Sequence, residues 1–172
     1  MDLTAHFTDK TIKPKEKTEQ LSLFLSKGEM SMSTLLEFAA SAKDPVKASC
    51  IEAIEWATRE QPNLADQTCF EFLNEALTSK TPRVKWESAR ALANIVGRFS
   101  DQLDPVIVHL LENAEHSGTV VRWSAANALA AILQLKTGLN ETLLPAAEQL
   151  AANEEKNSIR KLYLAGIKKA SK

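Results

Sequence analysis

The sequence has little of several residue types on which particular folds depend. Its 172 residues contain two cysteines, one tyrosine and five glycines, and the formal net charge is −1. Cys50 and Cys69 lack metal-site or redox spacing, so we predict buried free thiols. No apolar run approaches the ~18 residues of a membrane span, and no basic leader precedes an apolar run at the N-terminus. These absences predict a cytoplasmic protein without a membrane segment.

Catalytic signatures are also missing. The chain has no H-E-x-x-H, Walker loop, G-x-S-x-G or Cys/His cluster. His109, Glu112 and His116 could share one helical face, but a zinc site usually draws its ligands from more than one element. We therefore predict a solvated acidic helix there, and a protein that is not an enzyme, holds no metal or cofactor and has no small-molecule substrate.

A repeated segment is the main positive feature. V-K-W-E-S-A-R-A-L begins at Val84 and returns as V-R-W-S-A-A-N-A-L at Val121, with looser copies at Val46 and Ile159. These starting points are 37 or 38 residues apart. A fixed period in this range is typical of a solenoid.

Each unit is predicted to form two antiparallel helices. Apolar or small residues follow the starting valine at intervals of one helical face, as at Ser88, Ala91, Leu92 and Ile95 after Val84. The intervening segments have their own register, with Phe70, Ile107 and Leu144 37 residues apart. Both helices of the unit therefore repeat together.

The second helix of the unit resembles the HEAT repeat family. That family's pattern is D-P-x-V-R followed by A and A-L, and Asp44, Pro45, Val46 and Lys47 match its start. Other matches are Thr81, Pro82, Val84, Lys85, Ala89, Ala91 and Leu92 in one unit, and Gly118, Val121, Arg122, Ala126, Ala128 and Leu129 in the next. The resemblance covers roughly residues 44–172. It implies an all-α, ARM-like right-handed α–α superhelix (a HEAT-like solenoid) of about four helix pairs, with the V-R helices on the concave face.

The period divides the chain as follows. We predict a loose segment at residues 1–12 and one repeat domain at 13–172. Within the domain we predict an irregular first pair at 13–43, repeats at about 44–80, 81–117 and 118–155, and a C-terminal capping helix at 156–172, because terminal units of arrays are commonly atypical.

Charge alternates with the helices. Residues 80–98, 118–136 and 156–172 are rich in Lys and Arg and contain Glu87 as their one acid, whereas 62–79, 99–117 and 137–155 contain acids and no Lys or Arg. Residues 44–60 break this rule with Glu52, Glu55 and Glu60. Separated charge of this kind can steer charged partners, although mutual neutralisation of neighbouring helices accounts for it equally well.

Two tryptophans mark the candidate site. Trp86 and Trp123 lie two residues after the repeat valines, off the buried face, and Arg90 and Asn127 follow one turn later. The predicted partner-binding set is Lys85, Trp86, Arg90, Arg122, Trp123 and Asn127. The leading hypothesis is a non-enzymatic scaffold whose basic concave groove binds an acidic protein or peptide segment.

Several alternatives remain open at this point. The basic residues one position after each repeat start, Lys47, Lys85, Arg122 and Arg160, could instead bridge neighbouring repeats. The two indoles could seal junctions between repeats, and Trp56 is predicted to belong to the core. The same groove could bind nucleic acid. DNA alkylation-repair glycosylases also use a HEAT-like groove, but no position here matches their catalytic acid.

Overall fold

The computed structural model describes residues 1–172, and all of its regular elements are helical. The ten α-helices are α1 (Leu3–Thr8), α2 (Pro14–Ser26), α3 (Met32–Ser41), α4 (Asp44–Glu60), α5 (Gln67–Ala76), α6 (Pro82–Ile95), α7 (Asp104–Ala114), α8 (Thr119–Leu133), α9 (Asn140–Asn153) and α10 (Asn157–Ala170). Short 3-10 turns follow α4 and α6, at Pro62–Leu64 and Val96–Arg98. None of the helices is both long and apolar enough to cross a bilayer.

Local sequence chemistry explains where the helices begin. Pro82 takes the first turn of α6, where its missing N–H costs no helical hydrogen bond. Ser31 and Asp66 cap α3 and α5 by accepting the backbone N–H groups of Thr34 and Cys69, at 3.1 and 2.8 Å. These signals recur between the periodic segments and divide the chain into short helices with tight connections.

The helices form two layers around one continuous core. The inner layer consists of α2, α4, α6, α8 and α10, and the outer layer consists of α3, α5, α7 and α9. Successive inner helices contact one another along much of their length, whereas successive outer helices touch at few points. The stack therefore curves with the inner helices on its concave side. This architecture confirms the predicted superhelix of about four helix pairs.

The N-terminal region differs from the sequence-based description. Residues 1–12 include α1, in which Leu3 and His6 are buried, rather than a uniformly loose segment. The Lys17 ammonium donates to the Phe7 carbonyl at 2.7 Å, which ties the end of α1 to α2. The two helices of the predicted irregular first pair make few contacts with each other, because α2 packs against α4 and α3 packs against α4 and α5.

Small residues set the distance between the inner helices. Ala91 and Ala128 are fully buried, and Gly166 of α10 lies directly against Ala130 of α8. A Cβ at position 166 would approach both the Cα and the Cβ of Ala130 to 2.9 Å. The α8–α10 contact therefore depends on the absence of a side chain at this position.

Gly166→Ala should reduce the free energy of unfolding by about 1–2 kcal/mol, because overpacking against the α8 backbone outweighs alanine's better helix propensity. Urea denaturation would measure the change. Gly138→Ala is the matched control, since a Cβ there meets nothing within 4 Å. Equal or greater stability of the Gly166 variant would contradict the close approach.

Candidate partner-binding surface

The inner helices leave one row of side chains open on the concave side. We call this row the concave stripe. It comprises Ser49, Glu52 and Trp56 on α4, Arg83, Trp86 and Arg90 on α6, Val120, Trp123 and Asn127 on α8, and Lys161, Ala165 and Lys168 on α10. Each set follows i, i+3 or i+4, i+7 spacing, so its members share one helix face.

Lys85, one of the predicted binding residues, lies outside the concave stripe. Its ammonium donates to the Leu77 carbonyl at 3.0 Å and to the Asn113 side-chain oxygen at 2.7 Å. Burial lowers the pKa of Lys85, and the nearby Glu112 carboxylate opposes that shift. Lys85 therefore connects the end of α5 to α7, as the bridging alternative describes.

Arg122 occupies the equivalent position in the next repeat and is similarly engaged. Its Nε donates to Glu154 Oε2 at 3.0 Å, and its NH1 donates to the carbonyls of His116 and Ser117, both at 3.1 Å. Burial alone raises the pKa of Glu154, but the bonds from Arg122 and from the Lys156 N–H bring it below its ordinary value. Arg122 thus joins α8 to the α9–α10 connection.

Arg90 does lie in the concave stripe, but acids surround it. Its guanidinium is 3.4 Å from Glu55 and 3.3 Å from Glu87, and both carboxylates are buried. Arg83, on the same helix, lies 3.0 Å from Glu52 of α4. The α4 acids therefore neutralise the arginines of α6, and the groove is not basic at this point.

Trp86 and Trp123 differ in their surroundings. Trp86 is half-buried and donates its indole N–H to Glu87 at 2.9 Å, which ties it to the ion pairs of α6. Trp123 is 36% exposed. Trp56, predicted as core, is also half-buried and lines a concave cavity of about 350 Å³ with Glu52 and Arg83.

The concave face of α8 and α10 has a different character. Neither helix contains an acidic residue. Val120 is 50% exposed beside Trp123, and Asn127 is half-buried one turn further along α8. Lys161 and Lys168 are exposed and take part in none of the salt bridges. This half of the stripe combines an apolar strip with free positive charge.

The structure contains no group of three or more His, Cys, Asp or Glu side chains arranged to hold a metal ion. Cys50 and Cys69 are free and buried, and burial raises the pKa of both thiols to about 12. At neutral pH they are protonated and unreactive.

Curved layers of antiparallel helix pairs define this protein as an α-solenoid. A family model described as HEAT repeats matches residues 32–130, more than half of the chain. The chain therefore belongs to the HEAT repeat family. A search of curated proteins returns no significant match.

Solved structures share the fold at low sequence identity. A designed armadillo repeat protein in complex with the peptide (KR)4 matches with a TM-score of 0.77 and 18% identity, covering 98% of this chain and 80% of that chain. The complex of CpcE and CpcF of phycocyanin lyase from Nostoc sp. PCC7120 matches with a TM-score of 0.74 and 16% identity, covering 95% and 94%. Computationally designed armadillo repeat proteins for modular peptide recognition give 0.74 at 18% identity, covering 97% and 80%. These similarities describe the fold.

Arg122→Ala should lower the free energy of unfolding by about 1–3 kcal/mol, because it leaves the largely buried Glu154 and two loop carbonyls without their donor. Thermal or urea denaturation would measure this. Arg98→Ala, at an exposed arginine in a 3-10 turn, is the matched control. If both variants were equally stable, Arg122 would not be a structural bridge.

Glu87 gives a pH-dependent prediction. Burial raises its pKa, Glu52 adds to the effect, and Trp86, Arg90 and Arg83 oppose it. The folded state then holds this proton more tightly than the unfolded state, so the stabilisation that Glu87 provides is lost as pH rises from glutamate's ordinary pKa through the raised one.

Glu87→Gln removes this titration. The free energy of unfolding of the variant, minus that of the parent, should therefore be larger at pH 7 than at pH 4. Urea denaturation at both pH values would measure it. Glu37→Gln, at an exposed carboxyl on α3, measures the background. A shift in the opposite direction would contradict the assignment.

Proposed function

We propose that this protein is a non-enzymatic scaffold that binds an extended, acidic protein or peptide segment across the concave face of α8 and α10. The observation that carries the proposal is the exposed Trp123 on a face with free lysines and no acid. Trp123 and Lys161 occupy the same position in neighbouring inner helices, about 10 Å apart at the usual helix packing distance. An acidic segment crossing the two helices would meet both.

The predicted binding set narrows under this proposal. Trp123 and Asn127 remain central, and Trp86 forms the edge nearest the ion pairs. Lys85 and Arg122 act between repeats, and Arg90 is neutralised by Glu55 and Glu87. We therefore assign the attraction for acidic residues to Lys161 and Lys168, and most of the affinity to the indole of Trp123.

The structural neighbours support a peptide ligand in general terms. Two of them are designed armadillo repeat proteins, one solved with a bound peptide and one made for modular peptide recognition. A cytoplasmic location belongs to the same proposal, and the two buried free thiols agree with a reducing compartment.

The test is fluorescence anisotropy with a labelled peptide of alternating Glu and Leu, its Lys–Leu counterpart and a single-stranded oligonucleotide. The acidic peptide should bind best. Trp123→Ala should weaken binding at least about tenfold, mainly through faster dissociation. Lys161→Glu combined with Lys168→Glu should lower the rate of association with the acidic peptide. Added salt should lower that rate for the parent protein in the same way.

Lys27→Glu combined with Lys43→Glu is the matched charge control, because both lysines are exposed and lie outside the concave stripe. Thermal melts would establish that all variants fold. Preference for the oligonucleotide would favour the nucleic-acid alternative. Unchanged peptide binding by the Trp123 variant would overturn the proposed site.

A further inference from the structure

A second candidate site lies at the rim of the solenoid, away from the concave stripe. Where α7 connects to α8 and α9 to α10, the structure has an open cavity of about 390 Å³. Its polar lining includes Glu115, His116, Arg122, Glu154, Glu155 and Tyr163. None of the concave binding residues proposed above takes part in it.

The Tyr163 hydroxyl is the most unusual group in this cavity. Tyr163 is 1% exposed, and its Oη is buried without a hydrogen-bond partner. The equivalent positions of earlier repeats hold the small residues Cys50, Ser88 and Ala125. A buried hydroxyl without a partner is costly. A ligand group that hydrogen-bonds to Oη would remove that cost.

The unpaired charges that line the cavity favour a cation. Arg122 is neutralised by its ion pair with Glu154, which leaves the exposed carboxylates of Glu115 and Glu155 without a basic partner. Helices α7 and α9 both end here, and helix C-termini carry partial negative charge. His116 Nδ1 accepts the Gly118 N–H at 2.8 Å, so its other nitrogen is a donor. Lys156, in the α9–α10 connection, is exposed and does not line the cavity, so the two free carboxylates dominate the lining.

The preceding junction shows how such a cavity can be closed. There the Asn113 side chain is buried and bonds to both Lys85 and the Leu77 carbonyl. The residue 37 positions later is Leu150, which lines the cavity instead of bridging it. The junction before that also has a cavity, of about 280 Å³, beside Lys47 and Thr78. The open space therefore recurs, whereas the tyrosine and the two free carboxylates are specific to the α7–α10 junction.

A partly apolar groove extends the cavity between the outer helices α7 and α9. A second hollow of about 210 Å³, lined by Leu111, Ala146 and Gln149, shares Glu115, Leu150 and Asn153 with the first. The pair would accommodate a charged side chain together with a neighbouring apolar residue of the same chain. A free small cation would use the first cavity alone.

We propose that the rim cavity binds an arginine side chain of a peptide, with an adjacent apolar residue in the groove between α7 and α9. The guanidinium carries five donors in a plane, so it can donate to several acceptors at once, and Tyr163 Oη and the Glu115 and Glu155 carboxylates are the acceptors without a partner. This ligand is opposite in charge to the one proposed for the concave stripe.

The test is an amide NMR titration of the full chain with the capped tetrapeptide LGRG, the same peptide with citrulline in place of arginine, and capped arginine alone. We expect shifts at Ser117, Asn153 and Glu155 with LGRG, and tighter binding of LGRG than of capped arginine. Equal binding of the citrulline peptide would overturn the cation assignment. Equal affinity for capped arginine would overturn the assignment to a peptide.

Variants separate a binding role of Tyr163 from a packing role. Tyr163→Phe removes only the unpartnered hydroxyl, and should fold as well as the parent while binding LGRG about fivefold more weakly. Glu115→Gln combined with Glu155→Gln should weaken binding and reduce its salt dependence, whereas Glu141→Gln combined with Glu148→Gln, at exposed carboxyls of α9, is the control. Unchanged binding by the Tyr163 variant would contradict the site.

Trp123→Ala should not affect LGRG binding, so this proposal and the one for the concave stripe can fail separately.

Discussion

Close packing of the inner helices is the constraint on which the rest of the structure depends. Buried small residues such as Ala91 and Ala128 let helix backbones approach, and Gly166 brings α10 directly against α8. Because the outer helices lack comparable mutual contacts, this packing also produces the curvature. The curvature in turn decides which side chains form the concave stripe and which close the junctions.

Polar contacts between repeats use the same geometry. In two of the repeats, the basic residue one position after the repeat valine points along the stack, where Lys85 meets Asn113 and Arg122 meets Glu154. On the concave side, Arg83 and Arg90 of α6 meet the acids of α4. On its concave side the array therefore pairs the charges of α4 with those of α6, and leaves free lysines on α10.

Much of the fold could be predicted from the sequence because it is periodic. The 37-residue register of Phe70, Ile107 and Leu144 marked the outer helices, and the recurrence at Val84 and Val121 marked the inner ones. The short α1 was missed because six residues are too few to show a period. Its order comes from contacts with α2 and α3, including the stacked rings of Phe7 and Phe38.

The candidate site was harder to predict, because charge counted along a helix ignores the neighbouring repeat. Glu52 and Arg90 occupy the same repeat position with opposite signs, and this signal could have revealed an internally neutralised surface. The sequence contains no comparable signal for the rim cavity. The cavity depends on the burial of Tyr163 and on Leu150, which does not bridge its junction as Asn113 does. Both features appear only when the α7–α8 and α9–α10 connections are placed side by side.

Asn113 shows how the ligand binding of such a protein can change. A single amide at one junction replaces what is open space at another, while the helices on both sides keep their course. Recognition at the rim can therefore be gained or lost one junction at a time, by side chains that the stacking of the helices does not require. A solenoid of this kind can diversify its ligands without altering its backbone.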